Sequence, residues 1–361
     1  MMNLETLAGQ PSPWLDATGP HSDLVLSTRV RLARNLVGVP FTHRARDEQL
    51  VSVLGAVQRA ADGAEAFAGG GLLKMHELSP NDRQFLVERH LVSHELSDGA
   101  RPRGLLVTPG ERLSIMVNEE DHLRLQALCS GFQLAEAWAL AEHADDEIEG
   151  ALEYAFTDDL GYLTACPTNV GTGMRASVLI HLPALVLTKQ IDKVLKSIMQ
   201  VGLAVRGLYG EGSQVMGNLF QISNQTTLGH SEKESVESLD RVSRQILDYE
   251  ERARDVLVRD AKMQIEDKVW RAYGSLRYGR SMTSEEVVNL CSAIRLGVAL
   301  GFAGLPPFRT LNELLVLTQP AHLTMRAGRE LETAERNALR AELVRTHLER
   351  ANYETGEGSR G

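Results

Sequence analysis

Cys166-Pro-Thr-Asn-Val-Gly-Thr-Gly-Met-Arg175, continued by Ala176-Ser177-Val178-Leu179, is the stretch on which the fold of this chain turns. Gly171 and Gly173 admit positive φ or the close approach of a ligand to the backbone. Arg175 then opens an alternating apolar run that reads as a strand. A turn of this kind brings a thiol and a guanidinium to one concave surface. Taken alone it equally describes a hairpin loop around an inert cysteine, because a free cysteine behaves as a small hydrophobe.

Four further segments bear on that choice: Ser27-Thr28-Arg29-Val30-Arg31, Asn118-Glu119-Glu120-Asp121-His122-Leu123-Arg124, Arg206-Gly207-Leu208-Tyr209-Gly210-Glu211 and Ile222-Ser223-Asn224. Residues 24–30 alternate as a strand, which puts Arg29 and Arg31 on one face, where they repel unless an anion lies over them. With Arg34 they make a local basic pocket in a chain of net charge −10, the pattern of a nucleotide site. Residues 105–107 and 113–117 read as strands joined through Pro109-Gly110. The second ends in three carboxylates, Glu119 to Asp121, either solvated surface or groups mounted for chemistry. Gly207, Gly210 and Gly212 predict a mobile loop carrying Glu211, of the sort that closes over substrate.

In order and spacing these five segments resemble the catalytic domain of the phosphagen (ATP:guanidino) kinase family over residues 20–250. Within that family the chain looks most like the bacterial protein arginine kinases. The free-guanidino enzymes carry a helical domain ahead of STRVR, where here 26 residues precede it, and a site open to an arginine on a polypeptide is expected.

The resemblance implies an α+β catalytic domain over residues 1–257, built on a central antiparallel sheet flanked by helices. It assigns Glu120 and Glu211 as the carboxylates that grip the guanidinium and Cys166 as a third contact. It assigns ATP to Ser27, Thr28, Arg29, Val30, Arg31, His90, Arg124, Arg175, Ala176, Ser177, Val178, Leu179, Arg206, Gly207, Leu208, Tyr209, Gly210 and Glu211. The chain departs from arginine kinases at Tyr209, where they have arginine, and at Gly212, where they have histidine, which bears on the adenosine end. Arg336-Asn337-Ala338-Leu339-Arg340-Ala341 resembles the RDxxRA motif of a phosphoarginine pocket, through Arg336, Asn337, Arg340 and Ala341, with Asn337 in place of aspartate. The implied setting is stress response in the cytoplasm: phosphorylation of arginine in proteins, marking them for a Clp-type unfoldase or protease and inactivating a heat-shock repressor, with an activator protein and a homodimer among the partners.

The chemistry needs these residue types. A guanidinium stays protonated, with a pKa above ~12, and is a poor nucleophile. Carboxylates can align it bidentately and accept its proton as the P–N bond forms. A cysteine beside arginines has a setting that favours the thiolate. Phosphoryl transfer is mostly positioning and charge neutralisation, and planar arginine forks match phosphate oxygens. Mg2+ is expected to be held mainly by the nucleotide, so no protein metal site is expected. Two rivals remain: a kinase of free arginine or another small guanidino compound, and a catalytically silent adaptor that binds phosphoarginine.

Composition narrows the rest. The acidic balance argues against a general nucleic-acid binder. Cys129, Cys166 and Cys291 lack CxxC spacing, so neither a disulfide framework nor structural zinc is expected. No signal peptide or membrane span is read. No GxxxxGK[ST] follows Gly69-Gly70-Gly71 or occurs elsewhere, which excludes a P-loop. Helices are expected over residues 47–66, 79–96 with His90 and His94 one turn apart, 132–153 with a solvated Asp145-Asp146-Glu147 run, and 185–202. Beyond the strand at 220–223, capping boxes at Ser231 and Thr283 and helical spacing at 311–317 and 333–350 predict an all-helical C-terminal domain over residues 258–361, for dimerisation and phosphoarginine binding. A disordered tail is expected from Glu354.

Overall fold

Alternation builds the centre of the molecule. The computed structural model describes residues 4–8, 10–207 and 216–357. Its elements are α1 (Leu4–Ala8), β1 (Val25–Arg34), α2 (Asp47–Gly63), β2 (Gly71–Lys74), α3 (Pro80–Glu88), β3 (Gly104–Val107), β4 (Leu113–Val117), β5 (Leu123–Ser130), α4 (Leu134–Glu149), β6 (Phe156–Thr157), β7 (Gly161–Tyr162), β8 (Met174–His181), α5 (Pro183–Leu187), α6 (Ile191–Gln200), β9 (Leu203–Arg206), β10 (Leu219–Asn224), α7 (Glu232–Tyr278), α8 (Ser284–Ala299), α9 (Phe308–Leu317), α10 (Pro320–Ala327) and α11 (Thr333–Glu357). Eight strands form one sheet in the order β2-β3-β4-β5-β1-β8-β10-β9, and β6 with β7 forms a separate ribbon. Among the described residues every pairing of these strands is antiparallel. The expected class is thus found: an α+β fold on a central antiparallel sheet, followed among the described residues by helices alone from Glu232 onward.

One face of the sheet is core. Val30, Leu32, Leu125, Ala127, Ala176, Val178 and Ile222 pack with Ala137, Ala141, Ala144 and Ile148 of α4. That stripe recurs at helical spacing, and its small side chains let the helix lie close on the sheet. On the opposite face α3 covers one end, where Phe85 and Leu86 join Leu105, Val107 and Met116. Helices α7 to α11 cover the other, where Leu26, Leu179 and Leu219 join Leu276, Val288, Leu311 and Val344. Between the two covers a strip of that face stays open.

Several local expectations are corrected. Helix α3 ends at Glu88 and His90 adopts φ 62°, so His90 and His94 do not share a helix face. The 185–202 helix is two helices, divided where Lys189 takes φ 58°. Asp145 is not solvated. It is 5% exposed and accepts from Arg34 Nε at 2.9 Å. Arg34 correspondingly leaves the basic pocket, because an even-numbered position on β1 points away from Arg29 and Arg31. Helix α11 runs to Glu357, past the point where a tail is expected. Ser231 and Glu234 form the expected capping box of α7, and Thr283 caps α8 by accepting from Glu286 N.

Candidate active site

Strand register collects the site. Arg29 lies opposite Ser177 and Leu128, and Arg31 opposite Arg175 and Gln126. Leu179 pairs with Gln221, and Gln221 with Arg206. Because alternate residues share a face, Arg29, Arg31, Arg124, Arg175 and Arg206 project from the open strip. They line one cavity of about 640 Å³ together with Glu119, Glu120, His90 and Cys166.

Polar partners among the described residues meet part of this charge. Arg29 Nη2 donates to Gln221 Oε1 at 2.9 Å, Arg175 Nη2 to Ser223 Oγ at 3.3 Å and Arg124 Nη1 to Glu119 Oε2 at 2.6 Å. Arg31 Nε is buried with no hydrogen-bond partner among the described residues. Burial, then Arg124 and Arg175, lowers the Arg29 guanidinium to about 10. Arg31 is pushed down further, by burial and by Arg29, Arg124 and Arg175. Like charges held together in this way favour a polyanionic ligand, which would relieve both effects.

The three consecutive carboxylates have three different fates. Asn118 opens their turn at φ 60° and donates through Nδ2 to Leu50 O and Pro102 O at 2.9 and 2.8 Å. Glu119 is buried, and Arg124, Ser93 and Arg31 together outweigh the effect of burial and hold it below the usual carboxylate range. Asp121 is buried too, accepting from Asn35 Nδ2 and from Ala165 N, each at 2.6 Å. Glu120 alone is partly open, with its own carbonyl tied by Thr42 Oγ1 at 2.6 Å. Burial, then Asp121, raises its carboxyl above the usual range. A carboxylate with a raised proton affinity is suited to accept a proton.

The Cys166 turn lines the same cavity as Glu120 and is tied beside it, through the bond from Ala165 N to Asp121. Gly171 takes φ 112°, and a Cβ there would stand 2.2 Å from Thr227 O. Gly173 takes φ 64°, and a Cβ there would stand 2.6 Å from Ala33 O. Only glycine fits either position. Cys166 Sγ shares a hydrogen bond with Thr168 Oγ1 at 3.0 Å. From behind, Arg34 Nη1 donates to Thr172 O at 2.8 Å and holds the turn.

The remaining expected residues divide. Ser27, Ser177, Leu179 and His90 line a narrow cleft of about 20 Å³ that shares Arg29 and Gln221 with the main cavity. His90 is pushed down to about 3 by burial, Arg29 and His94, and is neutral. The side chains of Thr28, Val30, Ala176 and Val178 face the core and are fully buried, so any part they play at the site falls to their backbone. Gly207 ends β9. Leu208, Tyr209, Gly210 and Glu211 lie outside the described residues. The C-terminal quartet is not an open pocket: Arg340 and Ala341 are buried. Arg340 donates to Thr318 O at 2.7 Å, Met282 O at 2.8 Å and Asn337 Oδ1 at 2.6 Å. Gln221, Gln126 and Trp14 also line these cavities; the signal for Gln126 and Gln221 is a polar residue at the outward parity of an apolar strand, whereas Glu119 stands in the sequence only as one of three adjacent carboxylates. Among the described residues no group of three or more His, Cys, Asp or Glu side chains could hold a metal ion, and no helix is long and apolar enough to cross a membrane.

Comparisons with known proteins agree over two stretches. Residues 52–253 match the family described as ATP:guanido phosphotransferase, C-terminal catalytic domain. Residues 262–359 match one described as Protein-arginine kinase McsB C-terminal domain. A protein-arginine kinase of Desulforamulus reducens is 50% identical over 348 residues, covering 95% of this chain and 97% of the relative. One of Symbiobacterium thermophilum is 48% identical over 347 residues, covering 95% and 98%. Among solved structures, a lombricine kinase superposes with TM-score 0.56 at 25% identity, over 67% of this chain and 71% of that one. The duplicated taurocyamine kinase of Schistosoma mansoni gives TM-score 0.60 at 26% identity, over 65% of this chain and 34% of that one.

Proposed function

This chain belongs to the ATP:guanido phosphotransferase family, and from that premise we propose that it is an enzyme moving the γ-phosphoryl group of ATP onto a guanidino nitrogen of arginine side chains in proteins. The observation that carries this function is the single cavity in which five arginines meet Glu120 and Cys166. Triphosphate oxygens lie over Arg29, Arg31, Arg124, Arg175 and Arg206, and Mg2+ arrives with the nucleotide as part of the substrate. Glu120 accepts the guanidinium proton as the P–N bond forms and the bond to the departing ADP oxygen breaks. Cys166 orients and polarises the acceptor without bonding to it. Glu211 serves as the second carboxylate.

Protein-bound rather than free arginine is supported by likeness along the whole chain, helical region included, to relatives named protein-arginine kinase. We divide the chain at residues 257 and 258, one turn before the non-helical φ/ψ of Ala261 in α7. In the finer proposal the helical part dimerises and binds phosphoarginine through Arg336, beside the buried Arg340. The enzyme then acts in the cytoplasm under stress, marks proteins for a Clp-type protease, silences a heat-shock repressor and answers to an activator protein. Incubation with ATP and either free arginine or unfolded casein, followed by mass spectrometry without acid, tests the function. Phosphoarginine in casein is expected. Transfer to free arginine alone supports the small-guanidino rival, and none to either supports the adaptor.

A further inference from the structure

Beside the catalytic cavity lies a second depression, of about 430 Å³, lined by Phe156, Leu160, Tyr162, Thr172, Thr227 and Leu228. Phe156 is 52% exposed, Leu160 47% and Leu228 54%. Three large apolar side chains left open on one concave surface mark a binding site more than a solvated loop. The surface is also held in shape. The Phe156 ring meets Tyr162 edge-on at 5.3 Å, Arg34 lies 3.5 Å over the Tyr162 ring, and Tyr162 N donates to Gly171 O at 2.8 Å.

The two cavities share walls. Thr168 and Asn169 line the catalytic side of the Cys166 turn, while Gly171 and Thr172 line the depression. Gln225 lines the first cavity, and Thr227 and Leu228 the second. Gly171 follows Cys166 by five residues, so their Cα atoms are at most about 17 Å apart, a span that an extended peptide of similar length covers. The base of the β6–β7 ribbon is tied to the acceptor carboxylates as well. Asp121 accepts from Ala165 N, and Leu163 N donates to Ala155 O at 2.8 Å.

We propose that this depression is a substrate subsite: it seats an apolar side chain of the polypeptide that carries the acceptor arginine. The proposal rests on the protein-kinase function above. Charge selects the occupant. Asp159 lines the depression and exposed Asp158 adjoins it, which suits a chain bearing a cationic arginine. A second copy of this chain, with net charge −10, would bring like charge against them. Folded proteins bury most of their large apolar side chains, so the subsite favours unfolded segments.

The test uses the full chain, wild type and a Leu160→Ser, Leu228→Ser double variant. The acceptors are peptides with a single arginine and a leucine or serine placed at about two to six residues on either side, the reach of an extended chain across the shared wall. At one spacing the wild type is expected to favour leucine by about tenfold in kcat/KM, mostly through KM. The double variant should lose that preference, melt at an unchanged temperature and phosphorylate N-acetylarginine amide at the wild-type rate. A preference that survives in the variant, or none in the wild type at any spacing, overturns the proposal. So does a change of oligomeric state in sedimentation, which would make the surface an interface between copies. A wild type that phosphorylates free arginine but no peptide overturns the protein-kinase function, and the subsite with it.

Discussion

Three adjacent carboxylates show how much one residue's surroundings decide. Glu119 is held by Arg124 and Asp121 by the Cys166 turn, which leaves Glu120 for the proposed role of proton acceptor. Glu120→Gln keeps the size and removes the charge, so kcat should fall about 10²- to 10⁴-fold while ATP binding by calorimetry is retained. Cys166→Ser should cost less. The acidic limb of kcat/KM follows with a definite sign. Glu120 must be ionised to act, and its raised proton affinity means activity is lost as pH falls through a value above the ordinary 4.5. A limb at or below 4.5 would assign the titration to another group. Glycine is tested at Gly173, where φ 64° and Ala33 O exclude a Cβ. Gly173→Ala should lower stability by about 1–3 kcal/mol, read in thermal unfolding, and displace the Cys166 turn so that kcat/KM falls as well.

At the scale of elements, what was legible in the sequence is what period and capping encode. The parity of Arg29 and Arg31 on β1, the turn glycines, and the starts of α7 and α8 need only neighbouring residues. The misreadings have distant causes. Asp145 sits in an acidic run and looks solvated, yet Arg34, 111 residues earlier, buries it. The break between α5 and α6 falls at Lys189 with neither glycine nor proline to announce it. Glu250 is a similar case, an acid in the middle of α7 that accepts from Ala184 N and Leu185 N at the start of α5, at 2.8 and 2.9 Å. Burial raises its carboxyl from 4.5 to about 7. The folded state therefore holds this proton more tightly than the unfolded chain, and stability from it is full below about 4.5 and is lost as pH rises through about 7. Against Glu250→Gln, the wild type should lose stability across that window, by up to about 1.4 kcal/mol per pH unit. Parallel unfolding curves from pH 5 to 8 would show that Glu250 does not titrate there.

Over the whole molecule, an acidic chain keeps a basic strip on one face of its sheet, bounded by α3 and by the helical region. Glu88 of α3 spans the two parts, accepting from Ala321 N at 2.9 Å and His322 N at 3.1 Å. Helices α7 to α11 are thus packed on the sheet, not tethered to it. Arg336 and Arg340 stand about one turn apart on α11. In the fold they differ: Arg336 is partly exposed, whereas Arg340 joins the loop before α8, the end of α9 and Asn337. Arg340→Ala would leave two buried carbonyls without donors, a loss of about 1–3 kcal/mol each, so a fall in phosphoarginine binding there would not separate a lost contact from unfolding. Arg336→Ala makes that separation. It should melt as the wild type does and yet bind phosphoarginine at least about tenfold more weakly, as loss of one charge-assisted fork predicts. If calorimetry gives equal binding in the wild type and Arg336→Ala while Arg340→Ala only lowers the melting temperature, both arginines are structural and phosphoarginine is read elsewhere.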